Sequence, residues 1–300
     1  MKQNTKFKYS EAVSYSDDAQ GLKCHTVDIW QSELPVGQEA CSEYWIIFIH
    51  GGAWRDPEIT SSFAEAAVAV LQDSTQKHNI RGFASINYRL SSHPNHPASP
   101  SHPEDPSRNA VHPDHLCDVQ NGIDYLQKRF QFGSRYILVG HSCGATLAFQ
   151  TINNQKQSSG MPIKETVPPQ AIVSAAGLYD LVLLRDSDSE PPSCQGFLSH
   201  AFGSDEEVWR SQSPVYGNYD ATWSEGRVAV LLQCSEDEYV SPMQLTVMEK
   251  ALQGWSRKEG RLLVCLTVSG RHDDCWKMGY GLAYGVETAL DHLVAKPSHG

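Results

Sequence analysis

The stretch Tyr136-Ile137-Leu138-Val139-Gly140-His141-Ser142-Cys143-Gly144-Ala145 decides the fold. Tyr136 to Val139 is a short apolar run of strand-forming residues, and Ala145 to Phe149 begins a helical pattern. Gly140-His141-Ser142-Cys143-Gly144 therefore falls on a sharp strand-to-helix turn. Strained backbone angles and close neighbours disfavour side chains in such a turn, which is why glycine stands at both ends. The serine at its apex sits at a helix N-terminus, where the dipole favours developing negative charge. A bare GxSxG is a weak signal; set between a strand and a helix it reads as a nucleophile elbow.

Outward from this turn the chain alternates. Tyr44 to His50, Phe83 to Asn87, Ala171 to Ala175, Val228 to Cys234 and Leu262 to Thr267 are further apolar runs, the mark of strands covered on both faces. Between them lie helical spacings: Phe63, Ala66, Ala67, Val70 and Leu71, then Leu116, Val119, Ile123 and Leu126. His112-Pro113-Asp114 opens the second with proline and an acid suited to a first turn. Ser241-Pro242 opens another, with Ser241 as its N-cap, and Gly281 to Val294 supplies the last. Repeated strand, helix, strand means a mostly parallel sheet with helices on both faces. The whole chain, residues 1–300, is expected to form one α/β domain. Two segments interrupt the pattern. Residues 91–113 place Pro94, Pro97, Pro100, Pro103 and Pro106 three apart, a period that predicts an extended polyproline excursion. Residues of roughly 180–226, rich in Ser, Asp, Glu, Pro and Trp, are expected to be either a surface insertion or a cap over the ends of the strands.

A serine hydroxyl is a poor nucleophile until a base removes its proton. In this architecture the partners follow in the order acid, then histidine, past the carboxyl ends of later strands. Ser235-Glu236-Asp237-Glu238-Tyr239-Val240-Ser241-Pro242 follows one strand and Val268-Ser269-Gly270-Arg271-His272-Asp273-Asp274 the next. His272 is expected to be the base and Asp237 its orienting acid, preferred over Glu236 and Glu238. Asp273 and Asp274 adjoin His272, but a sequence neighbour rarely curls back onto its own imidazole. His141 reads as packing or support. His50-Gly51-Gly52-Ala53-Trp54 closes the first strong strand, and its glycines let backbone N–H groups turn inward. The amides of Gly52 and Ala53, with that of Cys143, are the expected oxyanion hole, each donor being worth roughly 2.7–4 kcal/mol in the transition state.

Composition bounds the rest. Lys and Arg number 24 against 35 Asp and Glu, a formal charge of -11, so no general basic footprint faces nucleic acid or an anionic membrane. No apolar run approaches the roughly 20 residues of a membrane span, and Met1 to Lys6 leads into a polar stretch without a secretory core. A cytoplasmic protein is expected. The eight cysteines are scattered without a CxxC and are expected to be reduced thiols, with Cys234 and Cys265 filling the core. His93, His96, His102, His112 and His115 match no standard metal spacing. There is no phosphate-binding loop. Neither metal nor cofactor is expected.

The HGGxW box at His50 to Trp54, Asn87-Tyr88-Arg89-Leu90, His112-Pro113-Asp114-His115 and Gly140 to Ala145 occur together. In combination they resemble the kynurenine formamidases (arylformamidases), a branch of the α/β-hydrolases, over roughly residues 45–292. The resemblance implies an α/β-hydrolase fold and hydrolysis of N-formyl-L-kynurenine to L-kynurenine and formate, in tryptophan catabolism towards NAD. Its implied partners are that small-molecule substrate and water; a homodimer is compatible with it. Trp54 is expected against the aromatic part of the substrate or in plain core packing, and Arg89 and Arg271 are both candidates for the substrate carboxylate. The alternative reading is a short-acyl carboxylesterase of the hormone-sensitive-lipase type using the same triad. A non-catalytic hydrolase-fold binding protein fits less well, because Ser142, Asp237 and His272 are all present.

Overall fold

Alternation within the apolar strands sends side chains to two separate cores. Ile47, Ile49, Leu138 and Leu231 face one side of the sheet, and Ile46, Phe48, Val139 and Val230 the other. A strand buried on both faces needs a helical layer over each, and a computed structural model describing residues 7–16, 22, 24–33, 43–153, 166–186 and 192–295 has that form. Residues 1–6 and Cys41 lie outside the described residues, as do the expectations attached to them.

The sheet has eight strands in the order β1-β2-β4-β3-β5-β6-β7-β8. These are β1 (Phe7–Ser14), β2 (Thr26–Ser32), β3 (Tyr44–Ile49), β4 (Ile80–Ile86), β5 (Tyr136–His141), β6 (Ala171–Ala175), β7 (Val228–Cys234) and β8 (Leu262–Val268). β1, β2 and β4 pair antiparallel, and every other pairing is parallel. One face carries α2 (Asp114–Phe130), α3 (Cys143–Ile152) and α8 (Pro242–Ser256); the other carries α1 (Glu65–Asp73) and α10 (Tyr280–Leu293). Ser241 accepts the Met243 amide at the start of α8, so the expected N-cap is present.

All six strands and the helices read from periodicity are present. β1 and β2 were outside that reading, because β1 is exposed along much of its length and carries no apolar run. Cys265 is exposed rather than core: β8 is the edge strand, covered less completely than its neighbours. The described cysteines form no disulfide with one another.

The proline segment is not an extended rod. Leu90 N–H donates to Ser107 O and Ala110 N–H to Leu90 O, so the chain doubles back on its own base. The Ala98 and Ser99 amides converge on His96 Nδ1. Non-proline residues between the prolines supply the donors that fold it. Between β6 and β7 lie four helices: α4 (Leu181–Asp186), α5 (Pro192–Phe202), α6 (Glu206–Gln212) and α7 (Tyr219–Thr222). Of these, α5 reaches the other segment, its Ala201 O accepting the His112 amide.

The turn after β5 allows no side chain at either glycine. A Cβ on Gly140 would lie 2.4 Å from Gly144 O, and one on Gly144 would lie 2.2 Å from Ile49 O and 2.5 Å from His50 O. All three obstacles are backbone. Gly144→Ala is therefore expected to cost about 3 kcal/mol or more, since the strands themselves must shift. Its urea midpoint, compared with that of a surface Gly→Ala control such as Gly196, where a Cβ meets nothing within 4 Å, checks this; equal midpoints would contradict it.

Candidate active site

Ser142 is held at φ 53°, ψ −123°, outside the regions that ordinary residues favour, as the N-cap of α3. Its amide is tied to Ala175 O at the end of β6, and its carbonyl accepts the Ala145 amide. The side chain is largely enclosed. Its Oγ makes no hydrogen bond among the described residues.

β3 lies beside β5, so the turn after β3 meets the elbow. A Cβ on Gly51 would lie 2.8 Å from His141 Nδ1 and 3.2 Å from Ser142 Cβ. Gly52, Ala53 and Trp54 all have positive φ, at 95°, 49° and 59°. For the last two this is strain of order 1–3 kcal/mol each, and three contacts hold it. The Trp54 amide donates to Cys143 Sγ at 3.2 Å, Tyr88 donates its hydroxyl to His50 O at 2.9 Å, and the Tyr88 and His50 rings stack at 4.2 Å. Burial pushes the Cys143 thiol up to about 11, so it stays neutral as an acceptor. The side chains of Tyr88 and Cys143 thus brace the loop, a role that sequence spacing does not reveal.

Asp237 and His272 come from the loops after β7 and β8. His272 Nδ1 lies 3.0 and 2.9 Å from the two oxygens of Asp237, both side chains being buried. Asp237 Oδ1 also accepts the Tyr239 and Val240 amides, which fixes the carboxylate in its loop. A proton shared with that carboxylate belongs on Nδ1 and leaves Nε2 as the basic nitrogen. The competing acids have other partners. Glu238 accepts the His272 backbone amide at 3.0 Å and pairs with Arg271, Asp274 accepts the Arg271 amide, and Asp273 holds Lys277 and the Trp276 indole.

β8 lies three strands from β5, at roughly 4.8 Å per strand, so the histidine loop must lean back across the sheet edge. His141 holds it there: its Nε2 lies 3.1 Å from His272 O, and the two rings are 4.7 Å apart. His141 is thus packed against His272. The thiols of Cys234 and Cys275 share the same His272 carbonyl, at 3.9 and 3.4 Å.

Trp54 is wholly buried, with Phe202 of α5 edge-on at 5.0 Å and Phe197 at 6.1 Å. Arg89 is not available to a ligand. It grips the buried Asp118 through Nε and Nη2, each at 2.8 Å, with Asp114 at 3.4 Å. Arg271 remains exposed beside His272, paired only with Glu238 at 3.0 Å. Of the five histidines, His93 and His96 pack edge-on at 4.9 Å with His96 Nε2 also 3.6 Å from Asp56, while His102 turns to the Glu104 amide and His115 to Ser91. Among the described residues, no trio of close ligating side chains draws more than one member from them.

Burial also sets the protonation of the histidines around the site. It holds His50 and His112 down at about 4 and His115 and His141 at about 3, against an ordinary 6.5. The unfolded chain therefore binds more protons than the folded one below pH 6.5, and stability falls as the pH drops. Each such histidine adds a slope of roughly 1.4 kcal/mol per pH unit until its folded value is passed. Asp118 adds in the same direction: although burial alone would raise it, His25 and Arg89 hold it below its usual value, so its contribution is lost in acid. Denaturation midpoints are expected to fall continuously from pH 6.5 to pH 4, and a flat profile over that range would contradict these assignments.

The Alpha/beta hydrolase family model matches residues 46–299. A kynurenine formamidase-like hydrolase of Fusarium equiseti is 48% identical over 96% of this chain and 96% of its own length. A kynurenine formamidase of Aspergillus versicolor is 33% identical over 86% of this chain and 92% of its own. Among solved structures, a truncated carbohydrate esterase from gut microbiota superposes with a TM-score of 0.65 at 18% identity, covering 96% of this chain and 98% of that one. Esterase B from Lactobacillus rhamnosis gives 0.67 at 12%, covering 96% and 87%; both likenesses are of fold alone. An eight-stranded sheet of this order, an elbow serine after β5, and relatives this similar over nearly the whole length have one meaning: the chain belongs to the kynurenine formamidase family of α/β-hydrolases.

Proposed function

We infer that the protein hydrolyses the formamide of N-formyl-L-kynurenine, releasing L-kynurenine and formate, with Ser142 as nucleophile, His272 as base and Asp237 as its orienting acid. What carries the chemistry is the buried His272 Nδ1 within 3.0 Å of both Asp237 oxygens, on a loop held against the elbow. The likeness to relatives named kynurenine formamidase carries the substrate. Ser142 Oγ attacks the formyl carbon while His272 Nε2 takes the hydroxyl proton. The oxyanion is received by the amides of Gly52, Ala53 and Cys143. His272 returns its proton to the departing arylamine nitrogen, whose lone pair delocalises into the ring and eases departure. Water, deprotonated by His272, then attacks the formyl-serine ester and frees formate and Ser142. The unmade Ser142–His272 hydrogen bond fits this scheme, because such bonds often tighten only with substrate in place.

The helices between β6 and β7 are assigned as the cap over this edge, with α5 seated on Trp54. Among the described residues no helix is long and apolar enough to cross a membrane. We place the protein in the cytoplasm as an enzyme of small-molecule substrates, a reading that the acidic charge supports.

The test is the absorbance change of N-formyl-L-kynurenine with purified protein. Ser142→Ala is expected to abolish turnover, and Asp237→Asn to lower kcat roughly 10⁴-fold by spoiling the histidine tautomer. Serine-dependent hydrolysis of p-nitrophenyl acetate with none of the formamide would keep the triad and sink the substrate.

A further inference from the structure

Arg55 follows directly on the loop that carries the oxyanion amides. Its own amide donates to Gly52 O at 2.9 Å, so the backbone is fixed to that turn. The guanidinium lies 5.6 Å over the ring of Phe197 in α5. It is half-buried, and among the described residues it makes no ion pair and no side-chain hydrogen bond. That is unusual for this side chain, whose planar fork is built to bind carboxylates. Arg89 and Arg185 of α4, by contrast, are committed, the first to Asp118 and the second to Glu206 and Asp186. The adjacent Asp56 does not serve, because its Oδ1 accepts the Glu58 amide and lies 3.6 Å from His96 Nε2.

A second donor lies next in sequence: Trp54 Nε1 is buried with no acceptor among the described residues. Buried N–H groups are seldom left unmatched in a finished fold, so an acceptor supplied from outside would complete it. Partial burial pulls the Arg55 pKa down from its ordinary value, and the nearby Asp56 charge offsets this only in part. Consecutive Cα atoms are about 3.8 Å apart, which keeps Arg55 within side-chain reach of the oxyanion amide at Ala53. A substrate whose formyl carbon sits at that amide carries its amino-acid carboxylate several bonds away, out towards the rim.

We propose that Arg55, stacked on Phe197 and next in sequence to Trp54, binds the α-carboxylate of the substrate and selects formamides that carry an amino-acid end. This rests on the formamidase reading above and adds the group that distinguishes its substrate from a simple aryl formamide. The guanidinium would meet the carboxylate through charge-assisted hydrogen bonds, which the ring beneath it leaves free to form.

The test compares the wild type with Arg55→Gln and Arg55→Lys on N-formyl-L-kynurenine and on 2′-formamidoacetophenone, the same formyl arylamine ketone without the amino-acid end. The ratio of kcat/KM between the two is expected to fall roughly ten- to a hundred-fold in Arg55→Gln. The loss should appear in KM, and Arg55→Lys should recover part of it. Binding is read separately by calorimetry of L-kynurenine with the Ser142→Ala protein, whose Kd is expected to rise by a similar factor when Arg55→Gln is added. An unchanged ratio with an unchanged Kd, or an equal loss on both substrates in both variants, overturns the role of Arg55 and leaves the formamidase reading intact. A wild type that cleaves neither formamide overturns that reading and this proposal with it.

Discussion

The end of β3 presses against the turn after β5 so closely that only hydrogen atoms fit between them at Gly144, and the site depends on that approach. Ile49 O and His50 O occupy the space that a Cβ there would need. Because the two backbones touch, the turn after β3 lies against the elbow, with Gly51 next to Ser142 Cβ and His141. Such an approach leaves awkward dihedrals on both sides, at Ser142 on one and at Ala53 and Trp54 on the other. Packing and hydrogen bonds offset the strain. The Cys143 thiol and the Tyr88 hydroxyl are the side chains that hold the outer turn, and neither takes a part in the bond-breaking itself.

A second organising feature is the division of labour among acids crowded around one histidine. Asp237, Glu238, Asp273 and Asp274 all lie within a few residues of the base or its partner, yet only Asp237 touches the imidazole. Glu238 and Asp274 hold backbone amides of the histidine loop, and Asp273 anchors the short helix α9 (Asp274–Lys277) that follows it. Several carboxylates near one imidazole would compete for its proton if they were free. Here each is spent on a different donor, and the ring faces one.

Much of this was legible in the sequence, and the reason lies in the kind of constraint involved. Strands buried on both faces must be continuously apolar, and so β3, β5, β6 and β7 could be read directly. Steric exclusion at Gly140 and Gly144 is local, and so the elbow could be read too. Asp237, preferred in the sequence over Glu236 and Glu238, is the carboxylate that meets the His272 imidazole. Less was visible where a residue's role depends on tertiary partners. Arg89 looked available because Asp118, its partner, lies 29 residues on in α2. Cys265 looked buried because nothing local marks β8 as an edge. The proline segment looked extended because prolines fix φ, but its intervening residues donate the hydrogen bonds that fold it back.

From β5 onward the strands stand in the sheet in the order in which they are made: β5, β6, β7, β8. Each can dock on the one just completed, so this half of the sheet grows outward with the chain. Ser142 follows the first of these strands, whereas Asp237 and His272 follow the last two. A ribosome adding roughly 5–20 residues per second therefore exposes the serine loop well before Asp237 and His272 exist. Over that interval the nascent chain carries the elbow without the buried Asp237–His272 pair. That pair forms only when the outermost strand has been laid down, so its presence marks a molecule with a finished sheet edge.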